Sequence, residues 1–236
     1  MDIASSAVSK ELIELRRKFH KCAETGWLEF ETSIYIIEFL KAQGLDLKYG
    51  QSIHGKRIGL PSKSQMDTHK RKITLRKVDF DTSEILQGYT GAVAILDTQK
   101  PGPTVALRFD IDALSIDEAQ VSHRPFSEGF SSKNKGMMHA CGHDGHIAIG
   151  LMLAKTLASQ RDRLIGKIIF IFQPAEEGVR GAKSMVDSGV LEDADYIFSG
   201  HIGFCKNKQV VCGVGGFLAT SKLDVSFIGK AAHAGA

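Results

Sequence analysis

From residue 91 onward, short apolar runs alternate with stretches of helical period, and this order constrains the fold more than any other feature. Residues 91–97 and 104–110 read as buried strands separated by the turn segment Thr-Gln-Lys-Pro-Gly-Pro. A helix over 144–159 places Ile147, Leu151, Ala154 and Ala158 at helical steps. The β-rich run 167–172, a helix near 180–188 and a strand at 196–199 follow. Strands that alternate with helices predict an α/β fold, a largely parallel sheet flanked by helices with right-handed crossovers.

Upstream, Val8, Leu12, Leu15, Phe19 and Cys22 recur at steps of four and three on one face of a helix that ends near Gly26. A second helix spans about 32–43, with Ile34, Ile37 and Leu40 inward and Gly44 as its stop signal. Residues 45–89 show no clean period and read as an irregular or partly helical insertion. Beyond His201, residues 209–214 and 221–227 look like strands without an intervening helix. The expected division is therefore a domain over 1–213 and the start of a second over 214–236.

Composition closes off several alternatives. Of 236 residues, 43% are hydrophobic and 24% charged, which is too apolar for general disorder and enough for a real core. No apolar run approaches the roughly 20 residues of a membrane span. The first thirty residues carry Asp2, Glu11, Glu14, Arg16, Arg17 and Lys18 and no signal-like apolar stretch, so the cytoplasm is the expected location. Four scattered cysteines read as reduced thiols. The net charge of +3 hides a window, 48–77, with nine basic residues and one acid, Asp67. That +8 excursion could attract nucleic acid or an acidic ligand, but few aromatics stand near it, which favours a solvated insertion.

The chemistry-bearing residues gather just beyond the carboxyl ends of the expected strands, where open α/β sheets place their ligands. Asp110 and Asp112 follow one strand, Gln173-Pro-Ala-Glu-Glu177 another, and His201 a third. The string MHACGHDGH, 138–146, opens the crossover helix. Cys141 and His143 can face one point across a glycine turn, and thiolate with imidazole suits a transition metal. His139 and His146 are equally consistent with packing around the helix start. Of the adjacent Glu176 and Glu177, one can bind metal while its neighbour moves protons. A cysteine nucleophile with a histidine base is the competing reading, but it leaves the surplus glutamates and histidines unused. Phosphate-loop and dinucleotide fingerprints are absent from the sequence.

The strings LRFDIDAL (107–114), MHACGHDGH (138–146), FQPAEEGVRGAKSMVDSGV (172–190), HIG (201–203) and GKAAHAG (229–235) resemble the M20 metallopeptidase family in its amidohydrolase branch. RRKFHKCAETGWLEF (16–30) extends the likeness almost to the N-terminus. Ala23 before Glu24, where most members have proline, and the basic insertion resemble a subgroup that cleaves aminobenzoyl-glutamate. The resemblance implies that Cys141, His143, Glu177 and His201 hold two divalent cations, Mn2+ or Zn2+, and that Glu176 is the general base. It places Asp110 and Asp112 behind these ligands. It gives His233 the task of reaching from the smaller domain of a partner subunit to the substrate's oxygen. The expected substrate is a small N-acyl amino acid, with no nucleic acid and no membrane involved, in a homodimer or a hetero-oligomer with a related subunit. Because the sequence stops at Ala236, directly after the GKAAHAG string, a truncated product lacking later strands and a further histidine ligand is also expected. The alternative is a catalytically inactive relic, or a non-catalytic metal-binding or assembly partner.

Overall fold

The computed structural model describes residues 6–74, 76–203, 205–206, 208–213, 215–216, 223, 225 and 228–229. The chain divides into two units, Met1–Phe204 and Cys205–Ala236. In the second, the described residues form no helix or strand. Its local order is a turn in which the Gln209 amide donates to the Lys206 carbonyl at 3.0 Å. The expected strand over 209–214 is thus not found across 209–213, and the remaining positions of both expected strands, apart from 223 and 225, lie outside the described residues.

The first unit begins with α1 (Ser6–Lys21) and α2 (Phe30–Lys41), followed by β1 (Asp46–Tyr49), α3 (Lys63–Lys72), β2 (Ala92–Asp97) and β3 (Thr104–Asp110). Then come the single turn α4 (Arg124–Ser127), α5 (His143–Ala158), β4 (Lys167–Gln173), α6 (Gly181–Val186) and β5 (Tyr196–Ser199). The five strands stand in the order β1-β2-β4-β3-β5. β4, β3 and β5 pair in parallel, while β2 pairs antiparallel with both β1 and β4. The α/β fold expected from the sequence is present, with β2 alone running against the other four strands.

The central strand β4 explains the uninterrupted apolar run of its sequence. Its side chains alternate between faces, and both faces are covered. Phe170 and Phe172 enter the larger core, with Phe19 of α1, Ile34, Ile37 and Leu40 of α2, and Ile147 and Leu151 of α5. Ile169 and Ile171 point to the opposite face, where they join Ile53, Val93, Ala106 and Met185. Complete burial of each large side chain stabilises the fold by about 1.5–3 kcal/mol. The stripe Val8, Leu12, Leu15 and Phe19 expected on α1 does face this core. No helix among the described residues is long and apolar enough to cross a membrane.

The insertion is partly helical, as its sequence suggested, and it also holds a strand that the sequence did not reveal. β1 is a four-residue edge strand, set in place by pairing Asp46–Tyr49 against β2. α3 opens on a capping box, with the Gln65 amide donating to Ser62 Oγ at 3.2 Å and the Ser62 amide to Gln65 Oε1 at 2.8 Å.

Candidate metal centre

The parallel strands β4, β3 and β5 end at one rim, and the side chain of Arg108 spans it. Arg108 Nε donates to Gln173 Oε1 at 2.8 Å, Nη1 to Ser199 Oγ at 3.3 Å, and Nη2 pairs with Asp110. Three strand ends are thus tied laterally by one guanidinium, a role set by strand order rather than by local sequence.

Helix α5 begins at this rim. Gly142 takes φ +82°, a left-handed conformation open chiefly to glycine, and a Cβ there would stand 2.9 Å from the Ile202 side chain. This turn lets the chain after β5 lie against the start of α5. Cys141 Sγ and His201 Nε2 consequently stand 3.3 Å apart across 60 residues of sequence. His201 Nδ1 donates to the Ile202 carbonyl at 2.6 Å, which leaves Nε2 as the nitrogen facing Cys141.

His143 is the hub. Its Nδ1 donates to the Asp112 carbonyl at 2.8 Å, so Nε2 carries the lone pair and faces the cluster. One ligand atom each from Cys141, His143 and His201 lies within 4.8 Å of the others. The same holds for His143 with Glu176 and Glu177, and for His143 with Asp110 and His146. His146 differs from the other members in that its Nε2 is already occupied by a backbone amide. Its Nε2 accepts from the Ile202 amide at 3.1 Å, so in the neutral ring Nδ1 bears the hydrogen and points toward Asp110 Oδ2 at 3.6 Å. In this state His146 offers the cluster no free lone pair. His139, the other histidine of the string, is buried near His20 and Asp144, and burial pulls it down to about 4.

The glutamates sit in a strained turn after β4. Ala175 and Val179 adopt φ of +49° and +57°, costly for residues with a side chain and most unusual for β-branched valine. Two buried carboxylates hold this turn. Asp112 Oδ1 and Oδ2 accept from the amides of Glu176 and Glu177, both at 3.0 Å, and Glu29 accepts from the Ala175 amide at 2.8 Å. Glu29 escaped sequence reading because its position in α2's approach gives no hint of a contact 146 residues away.

The electrostatics call for positive charge. Burial raises the Cys141 thiol to about 11, with the charges of Glu177, Glu176 and Asp110 adding to the effect. Burial also lifts Glu176, again with help from Asp110 and Glu177. For His143 burial acts downward, but the Asp112 hydrogen bond and the surrounding carboxylates outweigh it and raise the ring. His143 Nε2 and Glu177 Oε1 are buried and make no hydrogen bond among the described residues. Unsatisfied lone pairs, four carboxylates and soft sulfur in one place fit divalent cations. Of the expected site residues, Cys141, His143, Glu176, Glu177 and His201 are brought to this rim, whereas His233 lies outside the described residues.

A mixed α/β sheet with thiol, imidazole and carboxylate donors gathered at its carboxyl rim is an arrangement suited to holding metal ions. The chain belongs to peptidase family M20/M25/M40, whose profile matches residues 106–234. It is 47% identical to a p-aminobenzoyl-glutamate hydrolase subunit of Escherichia coli K12, over 98% of this chain and 54% of that protein. It is 48% identical to indole-3-acetyl-aspartic acid hydrolase of Enterobacter agglomerans, over 95% of this chain and 53% of that protein. The chain therefore spans about half the length of these curated relatives. Among solved structures it is similar to the Bacillus subtilis YXEP protein, a dinuclear metal-binding peptidase of the M20 family. The TM-score is 0.63 at 30% identity, covering 84% of this chain and 44% of that one.

Proposed function

We propose that this chain supplies the cation-holding and proton-transferring part of an amidohydrolase that splits the amide bond of a small N-acyl amino acid. The convergence of Cys141, His143, Glu177 and His201 around the buried Nε2 of His143 carries this reading. The two relatives' names share a substrate pattern, an aromatic acyl group joined to an acidic amino acid. We take p-aminobenzoyl-glutamate as the first substrate of that class, giving p-aminobenzoate and glutamate.

Cys141, His143, Glu177 and His201 would hold two divalent cations, zinc or manganese, and the soft thiolate weights the choice toward zinc. When bound, such ions lower the pKa of water and polarise an amide carbonyl. Glu176 takes the proton of the attacking water and returns it to the departing nitrogen. Its half-buried carboxyl, raised above the usual carboxylate range, is suited to both steps. Asp112 keeps Glu176 and Glu177 in register by fixing both backbone amides. His233, from the smaller domain of a partner subunit, is assigned the substrate's carbonyl oxygen. In this scheme residues 1–213 form the metal-binding domain and 214–236 begin the smaller one. The working assembly is a homodimer or a hetero-oligomer with a related subunit, in the cytoplasm.

The test is release of p-aminobenzoate by the chain loaded with Zn2+ or Mn2+, alongside Glu176→Gln. Turnover that this substitution abolishes, with cation stoichiometry retained, is the expected result. Stoichiometric cation binding without turnover in the unsubstituted chain would instead favour the non-catalytic metal-binding partner. Failure to bind cations would overturn both readings.

A further inference from the structure

On the side of the first unit where α1, α2 and α3 meet the segment 133–137, a cavity of about 410 Å3 is lined by residues that take no part in the metal centre. Six cations line it: Lys18 and Lys21 from the end of α1, Lys72 from the end of α3, and Arg76, Lys133 and Lys135 from irregular segments. Among the described residues that line it, Glu31 is the one carboxylate. Two of the cations crowd one aromatic ring, with Lys18 Nζ 3.2 Å and the Arg76 guanidinium carbon 5.2 Å from the Tyr35 centroid. Burial and the Arg76 charge pull the Lys18 ammonium below its usual value, so the positive potential in this cavity is felt by its own residues.

Helix ends do not account for the arrangement. Cations at the last turns of α1 and α3 complement those helix dipoles, but Arg76, Lys133 and Lys135 belong to no helix. Nor do free amides of α2 create the potential, because Glu24 accepts from the amides of Glu31 and Thr32 at 3.2 and 2.9 Å. Glu24 also holds His69 Nε2 at 2.9 Å, which fixes the wall beside Lys72. Arg76 is steadied by Glu38 of α2, outside the wall, at 2.9 Å. The Lys133 segment is anchored in turn, with its amide donating to the Lys21 carbonyl at 2.9 Å and Asn134 Nδ2 to the Ala23 carbonyl at 2.9 Å. Six cations are thus presented from anchored segments to a partly open recess of ligand size.

We propose that this cavity is a binding site for a small molecule bearing two or more anionic groups, phosphates or carboxylates. Its concave shape and the engagement of Tyr35 by Lys18 and Arg76 disfavour an extended nucleic acid, which needs free stacking faces along a groove. The site stands apart from the metal centre and does not depend on its assignment.

Calorimetric titration of the chain with tripolyphosphate and, separately, with propane-1,2,3-tricarboxylate tests the proposal. One-to-one binding of at least one probe is expected, weakened tenfold or more in the double variant Lys72→Gln/Lys133→Gln and unchanged in Cys141→Ala/His201→Ala. The probe that binds more tightly identifies phosphate or carboxylate as the preferred group. A rise in melting temperature with that probe, lost in the lysine variant, guards against a folding defect. No binding below about 1 mM by either probe, binding lost only in the cysteine-histidine variant, or binding of duplex DNA but neither small anion would overturn it.

Discussion

Asp112 grips His143 through the backbone: its carbonyl accepts the Nδ1 hydrogen at 2.8 Å, with its own carboxylate 3.4 Å from the same nitrogen. One residue therefore aims the ring's free nitrogen and, through its carboxylate oxygens, clamps the amides of Glu176 and Glu177. In Asp112→Asn the NH2 group cannot accept, so one of those two amides loses its partner. Cation affinity should fall about 10- to 100-fold, as is usual when the groups behind metal ligands are removed. Competition with a chromogenic chelator measures this. Unchanged affinity would mean that the turn holds its shape without Asp112.

Because Cys141 is held near 11, its thiol is protonated at neutral pH when no cation is present. A bound zinc ion needs the thiolate, so its binding should release a proton from this residue, and its affinity should rise with pH through the neutral range. Titration in buffers of different ionisation enthalpy counts that proton. Cys141→Ser should remove it and weaken zinc more than manganese, since only zinc gains strongly from soft sulfur. Unchanged affinity for both metals and an unchanged proton count would place the sulfur outside the coordination sphere.

Glu29 is raised to about 8, first by burial and then by the charge of Asp112. Its folded value lies above its unfolded value near 4.5, so the native state holds a proton that the unfolded chain has lost between these limits. The stability this contributes is complete below about pH 4.5 and declines as pH rises toward 8, at up to about 1.4 kcal/mol per unit. Urea midpoints recorded from pH 5 to 8 should show the decline, and Glu29→Gln should flatten it. A variant with the same slope as the parent would mean that other groups govern this range.

Gly150 lies where α5 crosses β3 and β4. A Cβ there would stand 2.8 Å from the Phe109 ring and 2.9 Å from the Phe172 ring. Helix propensity favours alanine by about 1 kcal/mol, but both rings belong to the packed sheet face and have little room to move. Gly150→Ala should lower stability by about 1–3 kcal/mol, read from thermal or urea unfolding. A stabilised variant would show that the rings can yield.

The parts of the fold that could be read from the sequence are those whose signal is local. β3 and β5 match their expected bounds, and α5 is displaced by one residue, because a continuous apolar run or a 3.6-residue stripe records burial directly. β1 was hidden because four residues carry too little alternation, and the bounds of α3 because only Met66 and His69 of its ten residues turn inward. Its capping box was nonetheless written in Ser62 and Gln65. At the rim, Cys141 and His143 announced themselves by residue type at the opening of a helix, and the Glu176–Glu177 pair and His201 by position after strands; only the family resemblance chose Glu177 over Glu176 as the ligand. Arg108 and Glu29 did not announce themselves, since the partners that give them meaning, Gln173 and Ser199 for one and Ala175 for the other, come from distant sequence.

β5 closes the sheet order on one side, and its Tyr196, Ile197 and Phe198 side chains are each more than half exposed. Among the described residues no strand pairs with its outer side, leaving a row of peptide groups flanked by greasy rings. A ribbon finished in that way is adhesive. At high concentration the isolated chain should zip to any extended segment it meets, and a lysine set at Ile197 would act as a gatekeeper that keeps it dispersed.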